Sequence, residues 1–194
     1  MSAILTTAPN VSPQAPPRPL RWTCAEFHRA GDLGLFEGKR PMLIGGVIIE
    51  QGPMNHPHAI AVSLVQNALF AVFAIGWHLR VQLPLVIDLF TDLMPDVAVI
   101  AGSPRDLAGH PATAPLVVEV ADTSLHFDTT DKLELYARAG VPEYWVLDLN
   151  GRQLLVFRDP HRTGYRTQQV FGPADAVSPL AAPTATVLVA DLLP

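Results

Sequence analysis

Three residue types at telling positions suggest chemistry. Glu119 stands near the middle of PLVVEVADTS, an otherwise apolar, strand-like run; Asp96 opens PDVAVI; Lys132 is the only lysine between Asp88 and the C-terminus. Burying a lone carboxylate in apolar surroundings is costly, so such a group is paired, bound to a cation, or protonated. If the strands carrying Asp96 and Glu119 pair, the two carboxylates come within range of one shared hard cation. Mg²⁺ suits such a pair, because it takes oxygen ligands, keeps several waters and often uses only one or two protein carboxylates. Lys132 falls in the first turn of the helix expected after the Glu119 strand, where a long side chain reaches back over the strand end. Asp, Glu and Lys around one metal-bound water make a phosphodiesterase site.

The elements that must position these groups can be read from periodicity and turn chemistry. TCAEFHRAGDLGLF predicts a short helix with Thr23 as N-cap, Glu26 closing a capping box and an end near Gly31. MLIGGVIIEQGP reads as a strand or bent hairpin broken at Gly45 and Gly46. A long apolar helix is expected over AIAVSLVQNALFAVFAIGWHL, and then VQLPLVIDLF as extended chain, with Pro84 favouring an edge or a break. PDVAVI is a short strand, a loop runs from Gly102 to Pro115, and LVVEVA suits a buried central strand. Alternation puts Val117, Glu119 and Ala121 on one face, with Leu116, Val118 and Val120 on the other. A helix capped by Asp128 or Thr129 runs through DKLELYARA to Gly140, and YWVLDL and RQLLVF flank the hairpin signal Asn150-Gly151. Weaker strand signals follow around Tyr165 to Phe171 and Ala185 to Val189. The order implies an α/β fold with a mixed central β-sheet flanked by helices.

Composition bounds the function. The chain has 194 residues, 49% hydrophobic and 16% charged, which fits one domain over residues 21–194 behind a flexible, proline-rich arm over residues 1–20. The span Ala59 to Leu79 has no Asp, Glu, Lys or Arg, yet Ser63, Gln66 and Asn67 form a polar stripe. That pattern fits a core or dimer-interface helix, so no membrane association is expected. The single cysteine, Cys24, excludes an intramolecular disulfide or a cysteine zinc cluster and suits a reducing cytoplasm. Net charge is −5, but Asp88 to Asp148 holds eleven of the eighteen acids and three of the thirteen lysines and arginines. An acidic centre with a mildly basic periphery fits a cation site flanked by phosphate-contacting surfaces. No glycine-rich phosphate loop, GxSxG or HExxH is present, so nucleotide-binding, serine-hydrolase and zincin readings have no anchor.

PDVAVI, PLVVEVADTS and DTTDKLELYARAGVPEYWVLDL together resemble the putative restriction endonuclease (Uma-two) family of the PD-(D/E)XK nuclease superfamily. The resemblance runs from about Thr23 to Val170 and is sharpest from Pro95 to Asp148, where KLxxYxxxGVxEYWxxD is the distinctive pattern. The superfamily's commoner lysine position, two residues after the acidic strand residue, is Ala121 here; the family is similar in placing its lysine on the following helix, as Lys132. The resemblance implies a restriction-endonuclease-like core and a Mg²⁺-dependent (or Mn²⁺-dependent) endonuclease acting on DNA, as a cytoplasmic homodimer. It further implies Asp96 and Glu119 as metal ligands, the backbone carbonyl of Val120 as another, and Lys132 as the catalytic lysine. One departure stands out: where the family carries a Tyr-Glu-Leu-Ile-Asp-Gly-Glu-like run, this chain has PMLIGGV, with Met42 and Val47 in place of acids. Glu50 remains as a substitute, and the family histidine matches His58 or His56.

Plainer readings stand beside these. Asp96 also fits a strand-entry turn, Lys132 a solvated helix residue, and Glu119 with Lys132 a buried pair without catalysis. Asp128 and Asp131 read as helix-start acids, Tyr144 and Trp145 as core aromatics, and Arg152, Arg158, Arg162 and Arg166 as a solvated face. Asp122, Thr123 and Ser124 could line the site or simply form a loop. Two rival functions remain open: a catalytically weak or inactive nuclease fold that binds nucleic acid or protein, and a hydrolase of a small phosphorylated substrate.

Overall fold

A computed structural model describes residues 17–194; residues 1–16 of the expected arm lie outside the described residues. Helix α1 (Cys24–Asp32) opens with the expected capping box, Thr23 Oγ1 accepting from Glu26 N while Glu26 accepts from Thr23 N. Strands β1 (Pro41–Ile44) and β2 (Val47–Glu50) form a hairpin across Gly45-Gly46, both with positive φ. At Gly46 a Cβ would lie 2.6 Å from Arg21 Cβ, so only glycine fits. Helix α2 (His56–Val72) is capped by Asn55, whose side chain accepts from His58 N. Strands β3 (Trp77–Val81), β4 (Leu85–Asp88), β5 (Thr91–Leu93), β6 (Val97–Ala101) and β7 (Leu116–Ala121) follow. Then come helices α3 (Leu125–Thr129) and α4 (Asp131–Arg138), and strands β8 (Glu143–Asp148), β9 (Gln153–His161) and β10 (Gly164–Phe171), with a short pair β11 (Ala176–Val177) and β12 (Val187–Leu188).

The main sheet has six strands in the order β10-β9-β8-β7-β6-β3, with β7 and β8 parallel and every other pair antiparallel. Parallel pairing of β7 and β8 requires a crossover, which α3 and α4 supply. A second, antiparallel sheet has the order β2-β1-β5-β4. Strand β7 is buried along its whole length, as its composition predicts, and its side chains divide between two cores. Leu116, Val118 and Val120 pack with Val62, Val65 and Leu69 of α2; Val117 and Ala121 pack with Leu135 and Tyr136 of α4 and with Met42, Leu85 and Leu93 of the smaller sheet. Glu119 therefore faces the side of the sheet occupied by α4.

Three expectations are corrected. The apolar run from Ala59 to Leu79 is not one helix: α2 ends at Val72, and Trp77 to Val81 instead pairs with β6. Gly76, at φ 91, allows the reversal, and sheet pairing with β6 satisfies the backbone that follows. Among the described residues no helix is long and apolar enough to cross a membrane. The helix after β7 is broken at Thr130 (φ −123, ψ −82), so Asp128 is not its cap but lies buried in α3.

The third correction is Arg158, which is not part of a solvated face. Glu143 is fully buried, and its Oε1 accepts from Arg158 Nε at 2.9 Å, Arg158 Nη2 at 2.6 Å and Trp145 Nε1 at 3.0 Å. Glu143 Oε2 accepts from Leu180 N, and Arg158 also donates to Ser178 O, so one ion pair clasps the C-terminal segment to β8 and β9. Removing one partner of a buried pair strands the other's charge. Arg158→Met is expected to lower stability by roughly 3–5 kcal/mol in urea unfolding, with much of the loss recovered in Glu143→Met/Arg158→Met. A single variant within experimental error of wild type would show that the clasp contributes nothing.

Candidate active site

The site forms where β6 begins and β7 ends. Val97 pairs with Val118 in the antiparallel ladder, and continuing that register by one residue sets Asp96 beside Glu119. Asp96 Oδ2 accepts from the backbone N–H of Val120 at 2.9 Å, so the carboxylate takes the place of a further ladder partner. Its Oδ1 accepts from Gln82 Nε2 at 3.2 Å and lies 3.1 Å from His58 Nε2. Burial pushes the Asp96 carboxyl up, but the His58 hydrogen bond, the Val120 amide and the Lys132 charge outweigh it and hold Asp96 below the usual carboxylate range. The same hydrogen bond to Asp96 lifts His58 above its ordinary value, against the pull of burial.

Glu119 is buried, with Oε1 accepting from Tyr136 Oη at 2.7 Å and Oε2 3.0 Å from Lys132 Nζ. Lys132 Nζ is also 3.0 Å from Asp128 Oδ1, and Ser124 Oγ donates to Asp128 Oδ2. Burial pulls the lysine down, yet Glu119, Asp128 and Asp96 outweigh it and hold it protonated well above its ordinary range. Glu119 goes the other way: desolvation pushes its carboxyl up to about 8 despite the nearby ammonium. Three buried carboxylates thus meet one ammonium and one histidine: Lys132 pairs with Glu119 and Asp128, and His58 with Asp96.

These groups open on a cavity of about 290 Å³. Asp96, Glu119, Val120 and Lys132, the four residues predicted from sequence, all line it. Asp122, Thr123 and Ser124 line it too; Asn55 and Asn150 both donate to Asp122, tying the loop after β7 to the start of α2 and to the β8–β9 turn. Of the two candidate histidines, His58 reaches Asp96, whereas His56 is exposed at the helix start. Met42 is buried against the cavity where an acid was expected, Val47 is 60% exposed and lies outside it, and Glu50 sits at the cavity wall.

From sequence Asp128 has only a helix-start role and Tyr136 has none, yet both contact the site's charged groups. The available signal was spacing: both lie four residues from Lys132, one on each side, a separation that favours side-chain contact on a helix, and the Asp128–Lys132 contact persists across the break at Thr130. The oxygen-rich donor set and the surplus of buried carboxylate charge fit a hard divalent cation. Among the described residues no three Asp, Glu, His or Cys side chains are gathered to hold a metal ion by themselves. Two carboxylates with water completing the shell is a mode that Mg²⁺ commonly adopts.

The family model described as Uma2, putative restriction endonuclease, matches residues 24–190. No curated protein matches the chain. Among solved structures, a putative nuclease belonging to DUF820 from Anabaena variabilis superposes with a TM-score of 0.63 at 18% identity, over 78% of this chain and 88% of that one. A likeness at that identity establishes the fold, which is restriction-endonuclease-like: a mixed sheet flanked by helices.

The raised Glu119 pKa makes stability depend on pH. Between the ordinary 4.5 and about 8 the folded carboxyl keeps a proton that the unfolded chain releases, so stability falls as pH rises through that window. His58, also raised, adds to the fall once pH passes its ordinary 6.5. In EDTA, the urea midpoint of wild type should drop from about pH 5 to about pH 8, and Glu119→Gln should flatten the slope. Parallel pH profiles for the two proteins would refute a raised Glu119.

Proposed function

Because the chain belongs to the Uma2 family of putative restriction endonucleases, we propose that it is a metal-dependent endonuclease that hydrolyses phosphodiester bonds in DNA. The observation that carries the reading is the convergence of Asp96, Glu119 and Lys132 on one cavity from two strands and a helix.

Asp96, Glu119 and the backbone carbonyl of Val120 would hold Mg²⁺ or Mn²⁺. The amide of Val120 already points at Asp96, and in a strand the carbonyl of the same residue points to the same side. Such an ion supplies neutralising charge at the scissile phosphate and acidifies a water. The protein's own groups do the rest. Lys132, kept protonated by its carboxylates, acts as a hydrogen-bond donor that orients the attacking water and meets developing negative charge, not as the base. Tyr136 fixes the Glu119 carboxylate in plane, and His58 with Gln82 fixes Asp96. A homodimer would bring two such sites to the two strands of a duplex; Phe70 and Ile75, exposed at and just beyond the end of α2, offer apolar surface for it. The buried, lone thiol of Cys24 suits a reducing cytoplasm.

Met42 at the cavity wall, where the family carries an acid, favours a second reading: a nucleic-acid binding module with weak or no catalysis. Nicking of supercoiled plasmid separates the two. Wild type with Mg²⁺ or Mn²⁺ is expected to nick, EDTA to abolish it, and Asp96→Asn, Glu119→Gln and Lys132→Ala each to slow it by about 100-fold or more. Nicking that survives in the three variants would assign the activity elsewhere. A folded wild type that binds plasmid without nicking would favour the binding module.

A further inference from the structure

Arg40 lines the same cavity immediately before β1, half-buried, with its carbonyl accepting from Gln51 N at 2.9 Å across the mouth of the hairpin. Its guanidinium makes no ion pair and no hydrogen bond with any described residue. The other cavity cations are engaged: Lys132 by Glu119 and Asp128, His58 by Asp96. Glu50, Asp96, Glu119 and Asp122 share the cavity wall, and Glu50 stands opposite Pro41 in the hairpin register. A half-buried arginine that shares its cavity with four acids, yet pairs with none, is among the described residues the one cavity cation left free for an incoming anion.

We propose that Arg40 is a substrate-binding residue that grips a backbone phosphate next to the scissile one, seating the strand across the cavity. The proposal rests on the nuclease reading for its substrate. The planar guanidinium fork matches phosphate oxygens two at a time, whereas the Lys132 ammonium is already committed to carboxylates. The need for such a group follows from the charge of the site. Its carboxylates repel the phosphate backbone, and an uncommitted cation in the cavity lining gives the strand a foothold that does not depend on metal.

The test is binding of a fluorescein-labelled DNA oligonucleotide to the full chain in EDTA, followed by anisotropy across a salt series. Arg40→Gln should weaken binding by about tenfold and reduce the slope of log K against log salt by about one, the signature of one lost phosphate contact. Arg40→Lys should keep the slope while recovering only part of the affinity, because it keeps the charge and loses the fork. Arg162→Gln, an exposed arginine in the β9–β10 turn, should match wild type. Wild-type affinity and slope in Arg40→Gln, or no binding by folded wild type, would overturn the proposal. Plasmid nicking keeps the two readings apart: under the proposal Arg40→Gln raises KM with little change in kcat. Arg40-dependent binding without wild-type nicking would leave the phosphate contact standing and remove the nuclease.

Discussion

The fold is organised around a carboxylate in the middle of its central strand. Glu119 is only 2% exposed, and a buried charge in that position is tolerated only with donors in place. Those donors come from α4: Tyr136 reaches Oε1 and Lys132 reaches Oε2. The helix is thereby held on the sheet with a definite rotation, since turning it by one residue would carry both donors away. Apolar packing of Leu135 and Tyr136 against Val117 and Val146 supplies the area, and the polar pair supplies the register. The arrangement is under-charged for its acids, which is why Glu119 holds its proton to about 8 while Lys132 never approaches losing its own. That imbalance is a poor device for stability alone, because replacing a buried ionic cluster with apolar groups is often neutral or favourable. It is in keeping with the proposed cation site.

The remaining elements complete the cavity from outside this pair. Helix α2 brings His58 to Asp96 with its first turn, and its capping residue Asn55 also holds Asp122, so the same short segment sets both the helix start and one wall of the site. The β1–β2 hairpin closes the opposite wall with Met42, Glu50 and, just before it, Arg40. Met42 and Val47, which stand where the resemblance implies acids, both belong to this hairpin. The C-terminal segment is anchored separately, through Glu143 and Arg158, at the other end of β8.

Much of this was legible in the order of the residues, wherever the information is local. The Thr23–Glu26 box, the Asn150-Gly151 hairpin and the Gly45-Gly46 break depend on backbone and side-chain chemistry within a few positions. Strand alternation correctly placed Glu119 with Val117 and Ala121, because a period of two leaves no other choice. The motif residues Asp96, Glu119 and Lys132 announced themselves as charges in or beside apolar runs. Local rules failed where two outcomes share one composition. The run from Ala59 to Leu79 carries no Asp, Glu, Lys or Arg to mark a boundary, and the switch from α2 to β3 is decided by the open edge of β6.

The sequence by itself determined which strand is central, which residues face α4, and which three groups could meet at a site, since these follow from periodicity and from the cost of burying charge. Tertiary structure alone decided that His58 and not His56 reaches Asp96, that Asp128 is a buried partner of Lys132 and not a helix cap, that Arg158 is clasped to Glu143, and that Arg40 is left without a partner. In each case the deciding quantity is the distance to a group set by another element, or the water removed by packing. Neither is encoded in the spacing of residues along a single strand or helix.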